Sequence, residues 1–98
     1  MKIEVSEKAL RWFQEEVGLE NGDKVRFFTQ IYGTSPIREG YGLAFTIDSD
    51  SKEAAAHTVS DGITFFVNET DVWFFDDYNL YVDYDEAKDE VEYRYIKP

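Results

Sequence analysis

The side chains able to do chemistry in this sequence are few, and most sit in one loop. Two apolar runs flank Tyr32-Gly33-Thr34-Ser35-Pro36, which is followed by Arg38, Gly40, Tyr41 and Gly42. Thr34 and Ser35 carry hydroxyls that become nucleophiles only beside a base. His57 is the one histidine, placed between Ala56 and Thr58 with no companion at metal-ligand spacing. A lone imidazole without a partner reads as a structural or surface residue. The loop lacks the Gly-Lys-Ser/Thr ending of a phosphate-cradling P-loop. Asp48-Ser49-Asp50 opens like a calcium loop, but Glu53 stands where a glycine is required and Val59 where a bidentate carboxylate is required. Asp76-Asp77 and Asp83/Asp85 are close pairs, yet glycosidase chemistry depends on a separation in space that sequence spacing does not fix. The adjacent Asp76 and Asp77 read as turn or capping residues. There is no cysteine, which removes disulfides, thiolate metal sites and cysteine nucleophiles together. On these grounds no catalytic residue, metal ligand or cofactor site is expected. What remains is a candidate interaction loop carrying Tyr32, Thr34, Ser35, Arg38 and Tyr41.

The elements around that loop are legible from hydrophobic periodicity. Lys24 to Tyr32 places Val25, Phe27 and Ile31 on one period-two face, and Leu43, Phe45 and Ile47 alternate with Ala44, Thr46 and Asp48 on the return. The expectation is a long hairpin with a polar, glycine-bearing tip, a position where a rigid sheet can present a binding loop. Ahead of it, Ile3 and Val5 mark a short strand, and Ser6 offers an N-cap with Glu7 at the positive end of the helix dipole. Leu10, Phe13 and Val17 follow at helical spacing, and Gly18 suits the C-cap. Trp12 and Phe13 are assigned to the interface with the sheet. Asn21-Gly22 marks a turn. Beyond the central hairpin, Glu53 to Ala56 reads as a single helical turn. Asp61-Gly62, between His57-Thr58-Val59 and Ile63 to Val67, is the strongest hairpin signal in the chain. Thr70 to Tyr78 suits either a short helix capped by Thr70 or Asp71, with Val72, Trp73 and Phe75 inward, or an aromatic strand; the helical turn is preferred. Leu80, Val82 and Tyr84, then Val91, Tyr93 and Tyr95, form a terminal hairpin with an acidic side.

Composition narrows the function classes. Ninety-eight residues, 43% of them hydrophobic and 17% aromatic, suit one domain over residues 1–98 with a packed core. The net charge is −11, and from Glu69 onward ten acidic residues face only Lys88, Arg94 and Lys97. Such a charge disfavours nucleic acid and anionic membranes as partners. It reads as a solvated acidic face or, more sharply, as a surface for a basic protein. No apolar run reaches the length of a membrane span, and Met1 to Val5 has no signal-peptide hydrophobic region, so a cytoplasmic location is expected. A monomer or a weak homodimer paired through edge strands fits so small a sheet.

The order of elements resembles the HesB/IscA-like domain of iron-sulfur cluster biogenesis proteins. The resemblance rests on Ile3-Glu4-Val5-Ser6-Glu7-Lys8-Ala9, on Val25 to Gly33, on Ser60-Asp61-Gly62-Ile63-Thr64-Phe65-Phe66-Val67 and on Asp83 through Ile96. It implies an α+β fold: a mostly-β body of two small mixed sheets packed together, one N-terminal amphipathic helix and a short second helix. It also implies a cysteine in the loop after the second strand and a Cys-Gly-Cys pair in a tail. Here the first position falls near Thr34 or Ser35, and Lys97-Pro98 stands where the tail would begin. Soft thiolates are what a cluster requires, and hydroxyls do not replace them. The resemblance therefore points to a cysteine-less, non-enzymatic relative of the cluster carriers with a protein partner, such as an iron-sulfur assembly protein. The alternative is an acidic protein-protein interaction module unrelated to iron.

Overall fold

The computed structural model describes residues 1–49 and 54–98 and has the expected α+β architecture, built from two small mixed sheets and short helical segments. Strands are β1 (Ile3–Val5), β2 (Lys24–Ile31), β3 (Tyr41–Ile47), β4 (Ala54–Ser60), β5 (Ile63–Asn68), β6 (Asn79–Asp85) and β7 (Glu90–Ile96). One sheet runs β1-β6-β7 and the other β3-β2-β5-β4. Each combines both pairing senses: β1 runs parallel to β6 and β2 parallel to β5, while β2/β3, β4/β5 and β6/β7 are antiparallel. Ala54 to Ala56 lie in β4 rather than in a helical turn, and Glu53, the first residue of that expected turn, lies outside the described residues. The Asp61-Gly62 hairpin forms as expected, with φ of 50° and 77° at the two turn residues, the signs that a type I′ turn demands.

Ser6 ties the helix to the three-stranded sheet. Its hydroxyl accepts from Ala9 N at 3.1 Å and donates to Asp83 Oδ1 at 2.7 Å, and its amide donates to Val82 O at 2.9 Å. Helix α1 (Glu7–Trp12) thus starts at a fixed height above β6. It continues into a π-helical turn, Phe13–Val17, and closes on Gly18, whose φ of 81° suits a residue without Cβ. The wider turn was not legible from the periodicity, which fits a straight helix equally well. Phe13 is fully buried and stands edge-on to Phe45 and Phe65, at 5.0 and 5.3 Å between ring centroids. Phe27 stacks on Phe65 and meets Tyr93 of the other sheet at 5.8 Å. Val25, Phe27, Ile63, Phe65, Val67, Leu80 and Val82 line the facing inner sides of the sheets, as alternation requires.

Two expected core positions are corrected. Ile31 shares the inward face of β2 but is 64% exposed, because the strand outruns the core it packs on. Trp73 is also exposed, at 48%. Thr70 to Tyr78 opens as a 3-10 helix (Glu69–Phe74), whose three-residue turn puts Val72 and Phe75 on one side and swings Trp73 away. Neither Thr70 nor Asp71 caps it: Asn68 holds that position, and Asp71 Oδ1 accepts from Thr29 N of β2 at 3.0 Å. Asp76 and Asp77, with φ of 46° and 70°, are the turn residues expected.

The base of the central hairpin loop is closed by two glycines. A Cβ on Gly33 would lie 2.7 Å from Gly42 N, and one on Gly42 would lie 3.0 Å from both Thr34 N and Thr34 O. The chain crosses itself there without room for side chains.

Two outcomes are expected. Gly33→Ala should lower stability by about 1–3 kcal/mol, since the added methyl meets backbone that cannot rotate away; the urea midpoint measures it. Ser6→Ala should cost about 1 kcal/mol through the lost cap. The Asp83 carboxyl is held below its usual range chiefly by the Ser6 hydroxyl, then by the Tyr84 amide and by Arg94. A depressed carboxylate stabilises the fold above its unfolded pKa, and that stabilisation disappears as pH falls through the folded value. Ser6→Ala lets the folded value rise, so the gap between wild type and variant should narrow on acidification, as denaturant titrations across pH 2–5 would show.

Candidate functional site

The loop expected to carry function is ordered by its own contacts. Tyr32 N donates to Gly40 O at 3.0 Å across its neck, and Tyr41 N donates to Arg38 O at 3.3 Å. The Ser35 hydroxyl accepts from Arg38 N at 3.0 Å and donates to Arg38 O at 3.1 Å. Ser35 is therefore a stitch in the loop rather than a nucleophile awaiting a base. Ile37 packs down against the core. With both its neighbour and its own main chain held, Arg38 lies over the 3-10 helix: Nη2 donates to Trp73 O at 2.9 Å, and the guanidinium carbon is 5.7 Å from the indole centroid. Tyr41 stands edge-on to the same indole at 5.4 Å.

The structure thus brings Arg38, Tyr41 and Trp73 into one cluster and sets Ile31 beside it, as the direct register partner of Tyr41 on β2. Tyr32 is the next residue. It is 96% exposed, and its φ of 69° places a bulky aromatic in left-handed backbone, at a cost of about 1 kcal/mol. Thr34 is exposed, and its main chain abuts Gly42. Of the five residues expected from sequence, Tyr32, Arg38 and Tyr41 point to an aromatic-cationic surface. Thr34 and Ser35 serve the loop's shape.

Ile31 and Trp73 are the members that sequence reasoning missed. Both carried apolar periodicity and were assigned inward. A three-residue period through Val72 and Phe75 was the available signal for Trp73. For Ile31 the signal was adjacency to the loop, where a strand leaves its sheet. An exposed Tyr and Trp with a half-buried Arg and an aliphatic neighbour form the composition in which binding energy concentrates at protein interfaces.

Other titratable groups among the described residues have structural surroundings. His57 is exposed on β4, opposite Phe66 in register. Among the described residues there is no group of three histidine, aspartate or glutamate side chains that could hold a metal. Among them, too, no helix is long and apolar enough to cross a membrane. Tyr84 donates to Asp89, and that bond pushes its hydroxyl up to about 12; burial pushes Tyr95 to about the same value. Neither is poised to exchange a proton near neutrality.

No family model matches the chain. Over 95 residues it is 42% identical to a Bacillus subtilis protein named pyruvate dehydrogenase inhibitor, covering 97% of this chain and 99% of that one. It is 37% identical over 95 residues to an uncharacterized protein of Staphylococcus saprophyticus, covering 95% and 97% of the two chains. An uncharacterized protein of Staphylococcus aureus is 30% identical over the same length and coverage. Similarity at this level along nearly the whole of both chains makes this a member of the family that contains the Bacillus subtilis pyruvate dehydrogenase inhibitor and these staphylococcal proteins.

Proposed function

We propose that this chain is a non-enzymatic inhibitor of a pyruvate dehydrogenase, acting as a protein partner that docks on the enzyme through the loop cluster of Ile31, Tyr32, Arg38 and Trp73. The observation that carries the reading is the end-to-end similarity to the Bacillus subtilis protein of that name. The site supports it in kind. The Ser35 hydroxyl is spent on loop geometry, whereas Tyr32 and Trp73 are exposed and the Arg38 guanidinium is held against Trp73. Pre-ordering of this sort reduces the entropy lost on association. Inhibition then follows from occupancy rather than turnover, so it should saturate at a fixed ratio of chain to enzyme.

A second reading concerns ancestry. The sequence resemblance to the HesB/IscA-like carriers supports a shared architecture, with the carrier cysteine position falling near Thr34 or Ser35. Without sulfur donors the role would be that of an accessory rather than a scaffold. Anaerobic incubation with iron and sulfide should leave no stable cluster absorbance, and a persistent cluster would overturn this reading.

The inhibitor reading is tested by titrating the purified chain into a bacterial pyruvate dehydrogenase and following pyruvate oxidation. Saturable loss of activity is expected, and undiminished activity at large excess of the chain would sink the proposal. Tyr32→Gly separates surface from fold. It removes the exposed ring and relieves the left-handed strain, so thermal stability should hold or rise by about 1 kcal/mol. Inhibitory potency should fall by about tenfold or more, the loss of a typical aromatic anchor.

A further inference from the structure

A second surface, sharing no residue with the loop cluster, lies where the two sheets meet. β3 and β7 are the terminal strands of their sheets, and a groove of about 360 Å³ runs between them, lined by Ala44 and Phe45 on one side and Glu90, Val91 and Tyr93 on the other. Trp12 of α1 also lines it. The same indole, stacked on Tyr84 at 5.8 Å, lines a smaller hollow of about 170 Å³ among Glu15, Glu16 and Glu86. Sharing that indole, the two hollows are treated together as one trough, mainly apolar in the larger part and mainly charged in the smaller. Their linings hold five carboxylates, Glu15, Glu16, Glu86, Asp89 and Glu90, against Lys8 and Arg11; Lys8 is within 3.9 Å of Glu86, and Asp89 accepts from Tyr84.

We infer that this trough docks a basic segment of a protein partner, with aliphatic side chains on Phe45 and Val91 and lysine or arginine side chains against the Trp12 indole and the carboxylates of Glu15, Glu16 and Glu90. Charge selects the occupant. A chain of net charge −11 repels polyphosphates and anionic lipid, and it repels a second copy of itself. A cation entering the trough meets uncompensated carboxylates and an aromatic face, two sources of attraction that reinforce each other. Carboxylates beside an apolar lining also discriminate between partners: a neutral apolar segment gains only the apolar contacts, and an acidic one is excluded.

The two tryptophans report on the two surfaces separately. The 15N-labelled chain is titrated with a short synthetic peptide alternating leucine and arginine, and with its counterpart carrying glutamate at the arginine positions. The arginine peptide should shift the indole N–H resonance of Trp12 saturably and leave that of Trp73 in place, with affinity falling as ionic strength rises. The glutamate peptide should do nothing. Glu16→Lys combined with Glu90→Lys, both on exposed positions, should weaken binding by at least about tenfold, whereas Glu39→Lys in the loop should not. No shift at Trp12, a response centred on Trp73, or equal binding of both peptides would overturn the inference. So would a Trp12 shift that grows with protein concentration alone, which would assign the trough to a second copy. No dehydrogenase is present in this experiment, so its outcome is independent of the inhibitor reading.

Discussion

The aromatic column between the sheets is the contact on which the rest of this small fold depends. Phe45, Phe13, Phe65, Phe27 and Tyr93 meet in succession, joining the helix and the four-stranded sheet to the three-stranded sheet. Neither sheet is large, and without cysteine no disulfide ties one to the other. Large rings supply more buried area per residue than aliphatic side chains and add geometric preference through their edge-to-face packing. That is how a chain with so much surface charge closes a single core. The parallel pairing of β2 with β5 takes part in it: Val25 lies opposite Phe65 and Phe27 opposite Val67, so Phe27 stacks diagonally on Phe65 across the two strands.

Much of this was legible in advance because it is local. Ser6 before a helical pattern, Asp61-Gly62 between apolar runs, and the alternation of β2, β3, β6 and β7 each name an element through nearest-neighbour physics. What escaped is non-local or depends on where the core ends. Period-two alternation marks Ile31 as inward, but it does not say that β2 extends past the layer below it. Asp71 has the chemistry of a cap, yet a donor forty-two residues away, Thr29 N, claims its carboxylate. The candidate loop was found from two apolar arms around a polar, glycine-bearing tip, and its named residues included Tyr32, Arg38 and Tyr41; what local pattern did not show is that Ile31 and Trp73 stand exposed beside them. The hydroxyl of Ser35 is consumed internally, as short side chains in tight loops commonly are. The family was reached through identity along nearly the whole chain rather than through a motif read from the residues.

On the inhibitor reading proposed above, the distribution of polar and apolar surface bears on how the target would be engaged. The loop cluster offers a compact set of anchors with little net charge. The trough offers a field and a shallow apolar bed. A partner engaging both would be steered by the second and gripped by the first, a division between encounter rate and residence time that electrostatic and aromatic contacts favour.

The crossing of Gly33 and Gly42 has a consequence for how this architecture could diversify. Because the neck closes backbone to backbone, its geometry does not depend on the side chains at the tip of the loop. Exposed tip positions such as Pro36 and Glu39 can therefore drift in sequence without disturbing the crossing, whereas Ile37, Arg38 and Tyr41 stay tied to the core and to Trp73.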